Sequence, residues 1–183
     1  MLHPSKIRIV GLFIVPAMLW ATTTQVWAQA DSDPAQVVGL FVQTCVKFAG
    51  YPRGLQQWVA AHHLPQLSGN QAAVFLGMAP GEAFAANTKS GEHVLDLFSN
   101  GLCGVIAKSD KEEDVYNMLL SSFTKHHLSV KQVDANSHLN VSSITHRLNL
   151  SSKTRSWTIY ILEKPHQDDP NLAPELDLFA VPR

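Results

Sequence analysis

Two cysteines and nine histidines are the residues of this chain best suited to chemistry. Cys45 and Cys103 form no C-x-x-C unit, so neither a thioredoxin-like redox site nor c-type haem attachment is expected. The histidines include two adjacent pairs, His62-His63 and His126-His127, and single residues such as His93, His138 and His146. Zinc chemistry wants histidines at i and i+3 or i+4 on one helix face, or cysteines at short spacing. Neighbours on a helix point about 100° apart, so the pairs do not form a chelate on their own. Both pairs fall at the expected C-terminal ends of helices, where an imidazole complements the helix dipole. No metal ligand set and no cofactor are predicted.

Other catalytic patterns are also missing. The chain has no Gly-x-Ser-x-Gly elbow, and no Ser-x-x-Lys accompanied by its partner motifs. Gly77 to Gly81 lacks the lysine of a phosphate loop and the third glycine of a dinucleotide fingerprint. Glu92 and His93 are strand neighbours and point to opposite faces, so they do not converge. Strand alternation places His146 with Ile144, Leu148 and Leu150, the apolar side of its strand. It also separates Trp157 from Tyr160, which leaves one of these aromatics outside the main core. His93, His146 and Tyr160 are therefore the candidate ligand or metal contacts.

Those residues must be positioned by a small set of elements. Asp33-Pro34 supplies an N-cap acceptor and a first-turn proline for a helix carrying Val37, Leu40, Phe41, Cys45 and Phe48. Gly50 and Pro52 end it, and a second helix is predicted from Pro52 to about His62. Gln71 to Met78 is apolar but too short to assign. Strands are predicted over Glu82–Asn87, Glu92–Phe98 and Leu102–Ala107, with Lys89-Ser90-Gly91 and Asn100-Gly101 as turns. Asp110 and Glu113 resemble a capping box for a helix to about His127. Segments Ser129–Val133, Val141–Leu150 and Arg155–Leu162 read as strands, the last two joined by Ser151-Ser152-Lys153. Gln167 to Pro174 reads as a loop, and Leu176 to Val181 as an edge strand blocked by Pro182. The fold class is α+β: one antiparallel sheet with helices packed on one face.

The first thirty residues have the pattern of a secretory signal peptide. Lys6 and Arg8 precede an uncharged apolar run, and Ala28-Gln29-Ala30 offers a small-x-small cleavage site. Residues 1–30 are thus the expected signal peptide. Residues 31–183 are the expected single domain, with 166–183 a loosely packed C-terminal segment. The apolar run is shorter than the roughly 20 residues a membrane helix needs, and no membrane span is expected in the mature form. Removing Lys6 and Arg8 from the 14 basic residues leaves 12 against 15 acidic, a formal charge of −3. That balance gives no electrostatic case for nucleic acid. In an oxidising compartment the cysteine pair reads as one disulfide, Cys45–Cys103, tying the first helix to the sheet.

Cys45 on the first helix, Glu92-His93-Val94-Leu95 after a glycine turn, and Asn100-Gly101-Leu102-Cys103 form a pattern that resembles small exported proteobacterial proteins of uncharacterised function. The resemblance spans about residues 37 to 163. It implies a periplasmic location and a disulfide, and it carries over no catalytic residue. The resulting expectation is a periplasmic or secreted binding or accessory protein, acting by non-covalent contact. Its partner would be a small ligand, an envelope component or an envelope protein. The alternative is a small hydrolase or metal-dependent enzyme whose histidines converge only in the fold.

Overall fold

The structure is a computed structural model, and it describes residues 33–88, 91–109, 111–133, 144–164 and 175–183. The expected signal peptide, the Lys89-Ser90 turn, Asp110, His138 and the polar stretch 167–174 lie outside the described residues. Among the described residues, no helix is long and apolar enough to cross a membrane.

Asp33 caps the first helix, α1 (Pro34–Phe41), by accepting from the Ala35 N–H, and Pro34 occupies its first turn. The helix then widens into a π turn over Val42–Val46. There Thr44 Oγ1 donates to the Leu40 carbonyl, competing with the backbone for that acceptor. Thr44, Cys45 and Val46 are all buried, so the π turn sinks three successive residues into the core. Cys45 is bonded to Cys103 as expected, which staples this turn to the sheet. Helix α2 (Pro52–Ala61) buries Leu55 and Val59.

The unassigned stretch after it is a third helix, α3 (Gly69–Leu76), begun by a capping box between Ser68 and Gln71. Strands β1 (Gly81–Ala85), β2 (His93–Phe98) and β3 (Cys103–Lys108) follow as antiparallel neighbours. The Asn100-Gly101 turn forms as expected. Gly101 has φ +85°, and the Asn100 side chain accepts from the Leu102 N–H. Helix α4 (Glu112–Lys125) starts beside Ser109, whose hydroxyl accepts from the Lys111 N–H, and carries three acidic residues in its first turn. Strands β4 (Ser129–Val133), β5 (Ile144–Ser151), β6 (Ser156–Lys164) and β7 (Glu175–Pro182) complete one seven-stranded antiparallel sheet. Its order is β1-β2-β3-β7-β6-β5-β4.

That order corrects one expectation. The C-terminal segment is not an edge strand, and over 175–182 it is not loosely packed. β7 is the central strand, paired with β3 on one side and β6 on the other. Leu176, Leu178 and Ala180 are completely buried on its inner side. Pro182 sits at its last position, where a missing N–H costs the ladder little.

The inner face carries the main core. Leu95, Val105, Leu178 and Ile161 lie in register across four strands and meet Val37, Phe41, Leu119 and Phe123 of α1 and α4. The outer face is different. Ala83, Val94 and Phe98 point that way and pack under Ala72 and Leu76 of α3. Gly104 also faces outward, and a Cβ there would come within 2.5 Å of the Phe179 ring, so the ring can lie across the strand only above a glycine.

Candidate functional site

The three candidate contacts do not meet. His93 is on the inner face of β2, and only 1% of its surface is exposed. Neither ring nitrogen makes a well-formed hydrogen bond. Burial lowers its pKa, with the Gly91 backbone opposing. His146 is on β5, four strand positions away, which at sheet spacing is roughly 19 Å. Tyr160 lies on the outer face, half-buried, with the Arg147 guanidinium 5.6 Å from its ring centre.

His146 has the richer surroundings. Its Nε2 is 2.8 Å from Glu112 Oε1, at the start of α4. Thr145 Oγ1 donates to the same oxygen at 2.8 Å. The imidazole stacks on Tyr116 with ring centres 3.8 Å apart, and the Tyr116 hydroxyl donates to Gln132 Oε1 on β4. Glu113 completes a group whose ligand atoms lie within 4.8 Å of one another: Glu112, Glu113 and His146. These are the residues that could hold a metal ion, and only one is a histidine. Glu112 and His146 bind the first turn of α4 to β5, and Glu113 accepts from the Asn117 side chain within the helix.

The histidine pairs close helices. His62 and His126 are the C-cap residues of α2 and α4. His63 (φ +53°) and His127 (φ +56°) follow in the left-handed conformation. His63 N–H donates to the Ala60 carbonyl and Leu64 N–H to that of Val59; His127 and Leu128 repeat this on Thr124 and Phe123. Both ends are Schellman motifs in which His stands where Gly or Asn is usual.

A second polar cluster lies on the outer face. Asp96 of β2 and Asp177 of β7 are both fully buried. Lys164 of β6 pairs with Asp177 and, at 3.1 Å, with Glu175. Asp96 finds no hydrogen-bond partner among the described residues. Burial, then the nearby charges of Asp177 and Glu175, push its pKa up to about 7. Burial also raises Asp177, against the pull of Lys164. Burial alone would lower the Lys164 pKa, but its bonds to Asp177 and Glu175 hold it above the ordinary lysine value.

The concave surface is elsewhere, around the β5–β6 hairpin. Two clefts flank Arg155 and share Ser152, Arg155 and Trp157. One, of about 490 Å³, runs between the hairpin, Gly50 and Arg183. The other, of about 340 Å³, runs between the hairpin and the π turn, over Val42, Val46, Leu128 and Trp157, with Lys47 and His126 at its rim. Both volumes fall in the range of small-molecule sites. The hairpin is rigidly tied. Ser152 Oγ accepts from the Arg155 N–H, Arg155 Nη1 donates to the Lys47 carbonyl at 3.2 Å, and the guanidinium sits 5.5 Å from the Trp157 ring centre. Arg183 is fixed by a 2.8 Å bond from its Nε to Thr158 Oγ1. The residues lining the two clefts include Lys47, His126, Arg155 and Arg183 and no Asp or Glu.

No family model, curated protein or solved structure matches this chain. The functional reading therefore stands on geometry. Sequence reasoning named His93, His146 and Tyr160, none of which lines the clefts, and did not single out Arg155, Arg183, Asp96 or Asp177. The aspartates had a signal: each interrupts an apolar strand, in His93-Val94-Leu95-Asp96-Leu97 and Leu176-Asp177-Leu178. The arginines had none.

Proposed function

We propose that this chain is an exported binding protein that holds a small anionic ligand non-covalently in the divided cleft around Arg155. One observation carries the reading: two adjoining clefts of ligand size share an arginine and have no Asp or Glu side chain in their lining. An arginine recognises carboxylate or phosphate groups through a planar, two-pronged donor array. The hairpin bonds of Arg155 pre-organise it, which reduces the ordering cost of binding. Export is supported by the signal-like residues 1–30 and by the buried disulfide, a bond favoured in oxidising compartments.

A metal-dependent enzyme has one observation in its favour, the Glu112–Glu113–His146 group. That group sits at the start of β5, whereas the clefts lie at its far end, beyond Ser151. Five strand steps separate His146 from Ser151, roughly 17 Å. A ligand in the clefts would not reach the histidine.

Native mass spectrometry of protein purified from exporting cells, without chelator or detergent, tests the proposal. The expected result is the disulfide-bonded chain with an organic adduct that is lost on denaturation and depleted by Arg155→Ala. A bare chain, or a metal-sized adduct removed by His146→Ala and retained by Arg155→Ala, would overturn it.

A further inference from the structure

Resting on that reading, we infer the class of ligand: a monomeric, single-chain amphiphile with one anionic head group. The two lobes of the cleft differ in chemistry. The lobe against the π turn has an apolar floor of Val42, Val46, Leu128 and Trp157. The lobe against Gly50 is lined by hydroxyl groups, among them Ser151, Ser156 and Thr154, and by Arg183. Arg155 stands between them and belongs to both.

Each half excludes a simpler ligand. A small polar anion would use the arginines and leave the apolar floor in water. A neutral hydrocarbon would use the floor and gain nothing from the cationic rim of Lys47, His126 and Arg155. A chain laid on the floor, ending in a carboxylate or phosphate at Arg155, satisfies both. The floor owes its shape to the π turn, which carries Val42 and Val46, and the Cys45–Cys103 bond fixes that turn against β3. One guanidinium N–H of Arg155 is committed to the Lys47 carbonyl, so the bond that aims the arginine also joins the walls of the apolar lobe.

Calorimetry and tryptophan fluorescence on the purified protein, with decanoate and decyl phosphate below their micelle concentrations, test this. Decanol, acetate and inorganic phosphate are the comparison probes, and phosphatidylglycerol vesicles are the membrane control. One decanoate or decyl phosphate per chain is expected, bound at least roughly tenfold more tightly than decanol, as one or two charge-assisted hydrogen bonds would give, and than acetate, as burial of the chain would give. The stronger of the two identifies the head group. Arg155→Ala should weaken decanoate by a similar factor and decanol, which has no charge to pair, by clearly less. Lys47→Glu, an exposed change that spares the hairpin, should weaken decanoate less, and Leu128→Glu should abolish the gain from the chain.

Acetate or phosphate binding as tightly as decanoate would overturn the amphiphile while keeping the binding function. Binding to vesicles alone would overturn it in favour of a membrane surface. Failure of every probe against a protein that retains an organic adduct would overturn the ligand class only. Failure of every probe against a bare protein would overturn both readings.

Discussion

The two polar clusters, one on each face of the sheet, are built to opposite standards: the inner one is partly open to solvent, whereas the outer one holds two fully buried carboxyl groups. On the inner face, Glu112 accepts from Thr145 and His146, Tyr116 stacks on the imidazole, and Gln132 receives the tyrosine hydroxyl. Each of these polar groups has a partner. On the outer face, Asp96 has none among the described residues, and Asp177 leans on one half-exposed lysine. A paired polar group returns the cost of leaving water, whereas an unpaired buried carboxylate does not. The inner cluster therefore fastens a helix to a strand. The outer cluster makes the fold sensitive to pH.

The sign of that sensitivity follows from the raised pKa values. Asp96 binds its proton more tightly folded than unfolded, so stability is greatest where it is protonated. It falls as pH rises from about 4 through about 7. Asp177 acts in the same sense. Lys164 opposes them, contributing stability at neutral pH that is lost only when pH rises above the ordinary lysine value.

Six substitutions would break or sharpen the contrast. The largest effect should come from Cys45→Ser. It opens a bridge spanning 58 residues and costs about 4 kcal/mol in chemical denaturation, with the shape of the pH profile unchanged. A changed profile would couple the disulfide to the acids. Lys164→Met should cost about 3 kcal/mol by stranding Asp177, and Asp177→Asn in the same chain should recover most of it. Additivity of the two changes would show that the pair is not coupled.

Asp96→Asn should stabilise the protein by about 2 kcal/mol at pH 8 and have little effect at pH 5. An equal effect at both values would mean that Asp96 is not the titrating group. On the inner face, Glu112→Ala should cost about 1.5 kcal/mol through its two lost hydrogen bonds. A cost as large as that of Lys164→Met would erase the distinction between the faces. The smallest effect is expected from exposed Glu113→Gln, within about 0.5 kcal/mol in the absence of added metal. A clear loss of stability that added zinc restores to the parent but not to the variant would make the inner cluster a metal centre.

Sequence by itself determined what depends on neighbours in the chain. The Asp33-Pro34 start of α1, the Asn100-Gly101 hairpin and the inward side of β5 follow from local sterics, capping and period-two alternation. The disulfide was legible because the chain has only two cysteines and one partner for each.

Tertiary structure alone decided the rest. A strand's flanking residues do not say whether it closes a sheet or divides it, so β7 read as an edge and proved to be the centre. Asp96 and Asp177 were visible as polar breaks in apolar strands. Their common burial arises from strand order, which joins residues 81 positions apart. The cleft is the extreme case, since Val42, Leu128, Arg155 and Arg183 share no local pattern. They converge because a π turn, a helix end, a hairpin and the end of the central strand are packed together by the core beneath them. Pairing and packing across such distances are set by the free energy of the whole chain, which no short window of residues contains.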